Sequence, residues 1–235
     1  MKNITEFKDK WQNTPDFHKE IHESFIALVN NNPELKEHRD FVEQHIFGFG
    51  ERSFLWLWKL IVHDMLLQFT FMEIGVFKGQ ILSLIELLAK YQYKEAKRIG
   101  VTPLDNSGIG WESDYSKDIE FIHDKFGLSK DYVILKGSSV DPEIIKIAKS
   151  FKLDILYIDG SHTFEDAASD IKNYAPLIKP GGYLVIDDCA CDFSMPFGFF
   201  TGIVEVTNAV FCSDIIKNEF EFICSVVHIK VWKRK

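Results

Sequence analysis

Long apolar runs and an excess of positive charge are both missing from this sequence of 235 residues. Polar side chains interrupt every apolar stretch before it reaches the length of a membrane-spanning helix, so no membrane segment is expected. The 27 lysine and arginine residues are outnumbered by 35 aspartate and glutamate residues, which gives a net charge of −8. Because binding to phosphate backbones depends on clustered lysine and arginine, this balance argues against a nucleic-acid partner.

Cysteine is scarce, and its spacing does not match the common zinc sites. The four cysteines are Cys189, Cys191, Cys212 and Cys224. The pair Cys189 and Cys191 is interpreted as two reduced thiols of the core rather than as a metal site. The first residues contain no apolar run after a positive segment, so no signal peptide is expected. These features together favour a cytoplasmic protein.

Hydrophobic periodicity divides the chain near residue 66. Residues 1–66 are predicted to be helical and to form a cap that belongs to the same domain as the rest, with a lid or a dimer element as the alternative. In residues 67–235, five short apolar runs alternate with helical stretches, which predicts a mostly parallel sheet with right-handed crossovers. The strand-like runs 219–226 and 228–232 have almost no linker and predict a terminal antiparallel hairpin.

The individual elements of the alternating region follow from the same periodicity. Proline at the first turn after Asp141 is a typical start of a helix. Strands are predicted at residues 69–74, 98–102, 132–136, 153–158 and 182–186. Helices are predicted at residues 80–90, 116–126, 142–150 and 164–175.

A turn that contains two glycines follows the first of these strands. Gly75 and Gly79 lie four residues apart, where glycine lets the backbone turn sharply and leaves room for a ligand. The dinucleotide fingerprint G-x-G-x-x-G is not met, and Glu73 would repel a pyrophosphate, which disfavours a nicotinamide dehydrogenase. An acid suits a ligand that carries a cationic amine and a sulfonium, as S-adenosylmethionine does. A tight turn without a ligand remains the alternative.

Two later segments resemble class I S-adenosylmethionine methyltransferases. Ile178–Ile186, with its Pro-Gly-Gly turn before a buried strand, is similar to the segment that precedes the fifth strand of that superfamily. Residues 157–165, followed by Asp187 and Asp188, look like the small-molecule O-methyltransferases grouped with macrolide-sugar and rhamnosyl O-methyltransferases. The resemblance covers about residues 69–190. It implies a Rossmann-like, doubly wound α/β fold with a seven-stranded sheet in the order 3-2-1-4-5-7-6.

The resemblance also implies roles for polar residues after strands four and five. Asp159, Asp187 and Asp188 are implied to hold a divalent cation, usually Mg²⁺, and oxygen ligands agree with that choice. Solvated acids at loop ends are the alternative. His162, three residues beyond Asp159, is implied to be the general base, with a structural or surface histidine as the alternative.

Further residues are candidates for binding S-adenosylmethionine. Asp105 comes late for the acid that binds the ribose hydroxyls after the second strand. Ser138 and Ser139 follow the third strand and are candidates for the adenine edge, with a plain turn as the alternative. The full set of predicted cofactor-binding residues is Glu73, Gly75, Gly79, Asp105, Ser138, Ser139, Asp159 and Gly160.

These expectations combine into a function. The chain is predicted to be an S-adenosylmethionine-dependent methyltransferase that methylates a hydroxyl of a sugar or of another small polyol-like metabolite, with help from Mg²⁺. The phenylalanine-rich run 192–200 is interpreted as an apolar wall that faces the acceptor, with a contact between copies in a homo-oligomer as the alternative. A metal-independent methyltransferase for another acceptor and a non-catalytic cofactor-binding protein are the alternatives for the whole chain.

Overall fold

The sheet of this protein has seven strands. A computed structural model describes residues 2–104, 114–189 and 201–235, the last range without the side chains of 201 and 202. The strand order is β3-β2-β1-β4-β5-β7-β6, so the fold class and the order predicted from the resemblance are confirmed. β1 to β5 are parallel, and β7 is antiparallel to both β5 and β6. The strands are β1 (Gln68–Ile74), β2 (Glu95–Thr102), β3 (Tyr132–Lys136), β4 (Leu153–Ile158), β5 (Ile178–Ile186), β6 (Phe220–Val226) and β7 (Ile229–Arg234).

Helices precede the sheet and connect its strands. Several begin at residues that favour a helix start: Pro15 and Pro33 occupy first positions, and the Asp141 side chain accepts a hydrogen bond from the backbone of Glu143 at 2.9 Å. None of the described helices is long and apolar enough to cross a membrane. The helices are α1 (Ile4–Lys10), α2 (Pro15–Asn30), α3 (Pro33–His45), α4 (Phe54–Asp64), α5 (Gln80–Tyr91), α6 (Tyr115–Lys125), α7 (Pro142–Ala148), α8 (Phe164–Tyr174), α9 (Thr201–Cys212) and α10 (Asp214–Glu219).

Two apolar layers lie on opposite faces of the sheet, because successive side chains of a strand point to opposite sides. On β4, Tyr157 faces the layer that α1, α2, α4 and α5 cover, whereas Leu156 faces the layer that α7, α8 and α9 cover. The indole ring of Trp58 packs edge-on against Tyr157, with ring centroids 5.1 Å apart. The N-terminal helices therefore share a core with the sheet, directly behind the ends of β1 and β4.

The Pro-Gly-Gly segment differs from its prediction as a turn ahead of a strand that begins at residue 182. β5 already begins at Ile178, and two residues along β4 are matched by five along β5 between the pairs Leu153–Ile178 and Ile155–Tyr183. Gly181 adopts a φ of +82°, which glycine tolerates and which marks the irregularity. The segment is a bulge inside the strand, which local turn signals do not distinguish from a turn.

Candidate active site

A cleft of about 350 Å³ opens at the carboxyl ends of β1, β4 and β5. Open α/β sheets bind their ligands at this edge, where loops from neighbouring strands converge. The walls come from the strand ends and the loops that follow them, the loop between α3 and α4, the first residues of α4 and α5, and the hairpin between β6 and β7. Six of the predicted site residues line the cleft: Glu73, Gly75, Asp159, His162, Asp187 and Asp188.

The glycine turn after β1 is packed against the end of β4. Gly75 has a φ of +96°, and a Cβ atom there would lie 1.8 Å from the carbonyl oxygen of Asp159 and 2.8 Å from Cα of Gly160. The Asp159 amide donates a hydrogen bond to the carbonyl of Ile74 at 2.9 Å, which holds the two strand ends together. Only glycine fits at position 75, because a Cβ atom there would occupy the space of the Asp159 backbone.

Glu73 forms part of the cleft wall, although its side chain is only 3 % exposed. Its Oε2 atom has no hydrogen-bond partner among the described residues. Burial raises the pKa of Glu73 to about 8. A buried carboxyl oxygen without a partner is unfavourable, so a cationic group of a ligand in the cleft would stabilise the ionised form of Glu73.

Three carboxylates converge opposite the glycine turn. The Tyr157 hydroxyl lies 2.6 Å from Oδ2 of Asp187 and 3.1 Å from Oδ2 of Asp159, so it bridges the ends of β4 and β5. Burial and the charges of Asp187 and Asp188 raise the pKa of Asp159 well above its usual value. Burial acts in the same direction on Asp187, but hydrogen bonds from His228 and Tyr157 lower its pKa. Like charges this close call for a compensating cation.

The geometry of the carboxylates allows a metal ion in two overlapping groups, one of Asp159, His162 and Asp188 and the other of Asp187, Asp188 and His228. Within each group, the ligand atoms lie within 4.8 Å of one another. Asp188 belongs to both. Carboxylate oxygens are the ligands that Mg²⁺ prefers, and Mg²⁺ binds through few carboxylates while keeping several waters. The donor set therefore fits a hard divalent cation.

His162 lies in the loop between β4 and α8, on the side of the cleft that faces Asp188. Its Nε2 atom is 2.8 Å from Oδ2 of Asp188, and this hydrogen bond raises the pKa of His162. The side chain of Thr163 accepts a hydrogen bond from the backbone of Asp166, so Thr163 caps the helix that follows. The start of α8 thereby orients the loop that presents His162.

His228 lies in the cleft, although no sequence motif predicted it as a site residue. This residue stands at the turn between β6 and β7, and its Nδ1 atom lies 2.6 Å from Oδ1 of Asp187 and 3.5 Å from Oδ1 of Asp188. The ring of Phe54 packs edge-on against it, with centroids 5.0 Å apart. A usable signal was present, because the implied strand order puts the hairpin beside β5 and a histidine stands at its turn.

The loop between α3 and α4 is a second contribution that sequence reasoning missed. Gly48, Phe49, Gly50 and Phe54 line the cleft from the side of the N-terminal helices. The buried Arg39 guanidinium donates hydrogen bonds to the carbonyls of Phe49 at 3.2 Å and of Gly50 at 2.5 Å, which fixes the loop. These residues contribute apolar surface and backbone to the cleft wall. Their sequence therefore contains no polar pattern that would indicate a site.

Other predicted site residues lie away from the cleft or outside the described residues. Ser138 is exposed and the carbonyl of Ser139 accepts a hydrogen bond from the hydroxyl of Tyr174 at 2.8 Å, and neither serine lines the cleft. Gly79 and Gly160 lie beside it without lining it, in contact with α6 and with Ile74 respectively. Asp105, Cys191 and the run 192–200 lie outside the described residues.

Comparisons with known proteins agree on one family. A family profile described as a methyltransferase domain matches residues 72–189, which is half of the chain. An uncharacterized protein of Acanthamoeba polyphaga mimivirus is 34% identical over 123 residues, which cover 51% of this chain and 51% of that protein. The chain therefore spans about half the length of this curated relative.

Solved structures share the fold at low identity. A cofactor-bound protein from MTB is 12% identical with a TM-score of 0.61, over 95% of this chain and 98% of that one. A TDP-rhamnose 3'-O-methyltransferase of calicheamicin biosynthesis is 13% identical with a TM-score of 0.57, over 94% and 96%. An O-methyltransferase from Bacillus cereus in complex with SAH is 10% identical with a TM-score of 0.57, over 91% and 100%. With its matching family profile and the strand order of the class I fold, the chain belongs to the methyltransferase-domain family.

Proposed function

We propose that this protein transfers the methyl group of S-adenosylmethionine to a hydroxyl of a small polar acceptor, with a divalent cation held by Asp159, Asp187 and Asp188. One observation carries the proposal: the glycine turn at Gly75 and the three carboxylates face the same cleft at the ends of neighbouring parallel strands. The first feature suits the methyl donor, and the second suits activation of an acceptor.

The donor end of the cleft is the side formed by Glu73 and Gly75. The Oε2 atom of Glu73, which has no hydrogen-bond partner among the described residues, would meet a cationic ammonium or sulfonium, and the tight turn at Gly75 holds the ends of β1 and β4 together beside it. A negatively charged pyrophosphate would gain no such stabilisation, because a nearby anion raises the pKa of a carboxyl group further. These contacts favour S-adenosylmethionine over a dinucleotide, with Gly79 and Gly160 in supporting positions beside the turn.

The acceptor end of the cleft is the carboxylate cluster, which fits a cation by charge and by donor type. When bound, S-adenosylmethionine supplies an electrophilic methyl group, and the cation supplies a positive charge that favours ionisation of the acceptor hydroxyl. Asp159, Asp187 and Asp188 all line the cleft and would hold that cation, and Asp188 lies within reach of a shared ion with each of the other two.

His162 is the proposed general base. It takes the proton of the acceptor hydroxyl on its imidazole ring as the new C–O bond forms and the C–S bond breaks. The carboxylate of Asp188, at 2.8 Å, orients the ring and stabilises its protonated form. Phe54 and Phe77 line the same cleft with apolar surface, which reduces the access of water to the reacting groups.

The proposed acceptor is a sugar or another small polyol-like metabolite. Neighbouring hydroxyls of such a molecule are suited to a cation held by several carboxylates. The structural neighbour named as a TDP-rhamnose 3'-O-methyltransferase supports this class of acceptor. The resemblance of the Asp159–His162 loop to sugar-modifying O-methyltransferases points in the same direction.

A metal-independent methyltransferase is the second candidate, and a specific observation favours it. Asp187 already accepts hydrogen bonds from His228, from Tyr157 and from the backbone of Asp188. Three of about four lone-pair positions on its carboxylate are thus used by protein donors. On this alternative, the acidic pair would orient His162 and His228 without a cation.

The direct test is calorimetric titration of the purified protein with S-adenosylhomocysteine and separately with Mn²⁺ as a probe for Mg²⁺. Methyl transfer is then measured with a panel of nucleotide sugars and free polyols, in the presence and in the absence of a chelator. We expect S-adenosylhomocysteine and Mn²⁺ each to bind saturably, and we expect the chelator to stop methyl transfer to a hydroxyl. Absence of binding of S-adenosylhomocysteine would contradict the proposed donor, and transfer that continues in excess chelator would favour the second candidate.

A further inference from the structure

We infer that His228 is a positioning residue, which fixes the acidic pair Asp187 and Asp188 so that Asp188 can bind the cation. The inference rests on the proposed function, since it assigns a task within the proposed cation site. Its starting point is that both the side chain and the backbone of His228 hold the segment that immediately follows β5.

The side chain of His228 holds Asp187 in place. Its Nδ1 atom donates a hydrogen bond to Oδ1 of Asp187 at 2.6 Å, while the amide of Asp188 donates to the same oxygen at 2.9 Å. The hydroxyl of Tyr157 donates to the other oxygen at 2.6 Å. Both oxygens of Asp187 are therefore bound by protein donors, so this carboxylate has one defined orientation.

The backbone of His228 holds the other side of Asp188. The amide of Cys189 donates a hydrogen bond to the carbonyl of His228 at 2.8 Å. His228 thus forms hydrogen bonds with both sequence neighbours of Asp188, namely Asp187 and Cys189. Asp188 itself has a φ of +52°, in the left-handed region that a residue with a side chain adopts only when its surroundings impose it.

The oxygens of Asp188 are used differently from those of Asp187. One oxygen lies 2.8 Å from Nε2 of His162, and the other lies 3.5 Å from Nδ1 of His228. Asp188 is also the residue that both candidate metal groups share. Both residues line the cleft, but Asp187 is anchored by three protein donors, whereas the near contacts of Asp188 are the two histidines.

The sheet and the cap determine where His228 stands. β5 and β7 pair antiparallel up to Ile186 and Lys230, so the chain that continues past each strand end meets the other. The ring of Phe54, from the start of α4, packs edge-on against the imidazole. Three contacts therefore fix the position of the imidazole ring. The hairpin carries His228, Asp187 forms a hydrogen bond with it, and Phe54 of α4 packs against it.

Two substitutions separate the hydrogen bond from the packing. His228→Phe keeps an aromatic ring beside Phe54 but removes the donor, whereas His228→Asn keeps an N–H donor near the position of Nδ1. His63→Ala, at an exposed histidine on α4, is the matched control. For each protein, the affinity for Mn²⁺ and for S-adenosylhomocysteine is measured by calorimetry, and thermal unfolding reports on the fold.

We expect His228→Phe to weaken Mn²⁺ binding about 10–100-fold, as is typical when a residue that orients metal ligands is removed. His228→Asn should recover most of that affinity, His63→Ala should bind as the wild type does, and S-adenosylhomocysteine should bind all four proteins alike. Unchanged Mn²⁺ affinity in His228→Phe would overturn the inference, as would equal weakening in His228→Asn.

The same measurements distinguish failure of the inference from failure of the proposed function. A wild-type protein that binds S-adenosylhomocysteine but not Mn²⁺ would overturn the cation site and this inference together. A wild-type protein that binds Mn²⁺ but not S-adenosylhomocysteine would contradict the proposed donor, while the comparison of the His228 variants would still decide the inference.

Discussion

Gly75 and Asp159 approach each other so closely that a Cβ atom on Gly75 would lie 1.8 Å from the carbonyl oxygen of Asp159. This contact joins the end of β1, which carries Glu73, to the end of β4, which leads to His162. The proposed donor side and the proposed acceptor side of the cleft therefore depend on one close backbone approach. A change at Gly75 should disturb both.

Replacing Gly75 with alanine should impair both stability and binding. The φ of +96° is unfavourable for alanine, and the new methyl group would meet backbone that cannot move aside. Backbone strain of this kind costs about 1–3 kcal/mol, so the free energy of unfolding should fall by at least that amount. The affinity for S-adenosylhomocysteine should fall more than about tenfold, which corresponds to about 1.4 kcal/mol. Chemical denaturation and calorimetry measure the two effects.

Gly127→Ala is the control for Gly75→Ala. Gly127 also has a positive φ, of +56°, but among the described residues no atom beyond its two chain neighbours lies within 4 Å of a Cβ placed there. This variant should lose stability through backbone strain and keep its affinity for S-adenosylhomocysteine. If Gly75→Ala binds the ligand as the wild type does, the turn is not part of the donor site.

Replacing His162 with alanine should lower turnover while leaving donor affinity unchanged. General base catalysis contributes typically about 10²–10⁴-fold, and turnover should fall by a factor in that range. Ser161→Ala, at the exposed neighbouring position, should retain turnover. Steady-state kinetics with a methyl acceptor and calorimetry with S-adenosylhomocysteine provide the measurement. Wild-type turnover in His162→Ala would remove this residue from the mechanism.

Removal of divalent cations should abolish methyl transfer, and added Mg²⁺ should restore it. Asp188→Asn should weaken Mn²⁺ binding, because it replaces a charged ligand shared by both candidate metal groups with a neutral amide. Asp166→Asn, outside the cleft, is the control. The assay compares turnover in excess EDTA with turnover in excess Mg²⁺. Equal rates in the two conditions would support the metal-independent alternative.

The stability of the protein should fall between pH 7 and pH 5 because of His38. Burial, together with the charges of Arg39 and His123, lowers the pKa of the buried His38 from 6.5 to about 3. Below pH 6.5 the unfolded chain binds a proton at His38 that the folded protein does not bind. The free energy of unfolding therefore has its full value above pH 6.5 and decreases as the pH falls below it. At pH 5 the loss from this residue is about 2 kcal/mol, at 1.36 kcal/mol per pH unit.

His38→Gln tests the origin of that loss. Glutamine does not titrate, and it can still form a hydrogen bond with Ser83, whose hydroxyl lies 2.9 Å from Nε2 of His38. Denaturant unfolding at pH 7, 6 and 5 should give a smaller decrease for the variant than for the wild type. The same decrease in both proteins would show that His38 is not responsible.

The strand ends were the most predictable part of the site. Glu73 lies near the end of one apolar run that predicts a buried strand and Asp159 directly follows another, and the two runs occur as β1 and β4. The terminal hairpin was also predictable, since its two runs are separated by almost no linker. The division of the chain into a cap and a methyltransferase domain near residue 66 stays a prediction.

Errors and omissions concentrate where distant parts of the chain meet. The Pro-Gly-Gly segment proved to be a bulge of β5, because its pairing with β4 decides its conformation and local turn signals do not. His228 and Phe54 were not selected, since neither belongs to a motif with functional spacing. Their importance comes only from contact with Asp187 and with each other.

Local patterning predicts a mostly parallel sheet, and the resemblance to class I methyltransferases implies its doubly wound order. Together they put Glu73, Asp159 and Asp187 at a single edge, because carboxyl ends of parallel strands share that edge. Whether those side chains touch, and which residues complete the cleft, depends on strand pairing and helix packing across long sequence separations. The register of β5 with β7 brings His228 to Asp187, and packing of α4 on the sheet brings Phe54 to His228. Contacts between residues so far apart in sequence produce no periodic pattern of apolar and polar residues, so only the tertiary structure shows them.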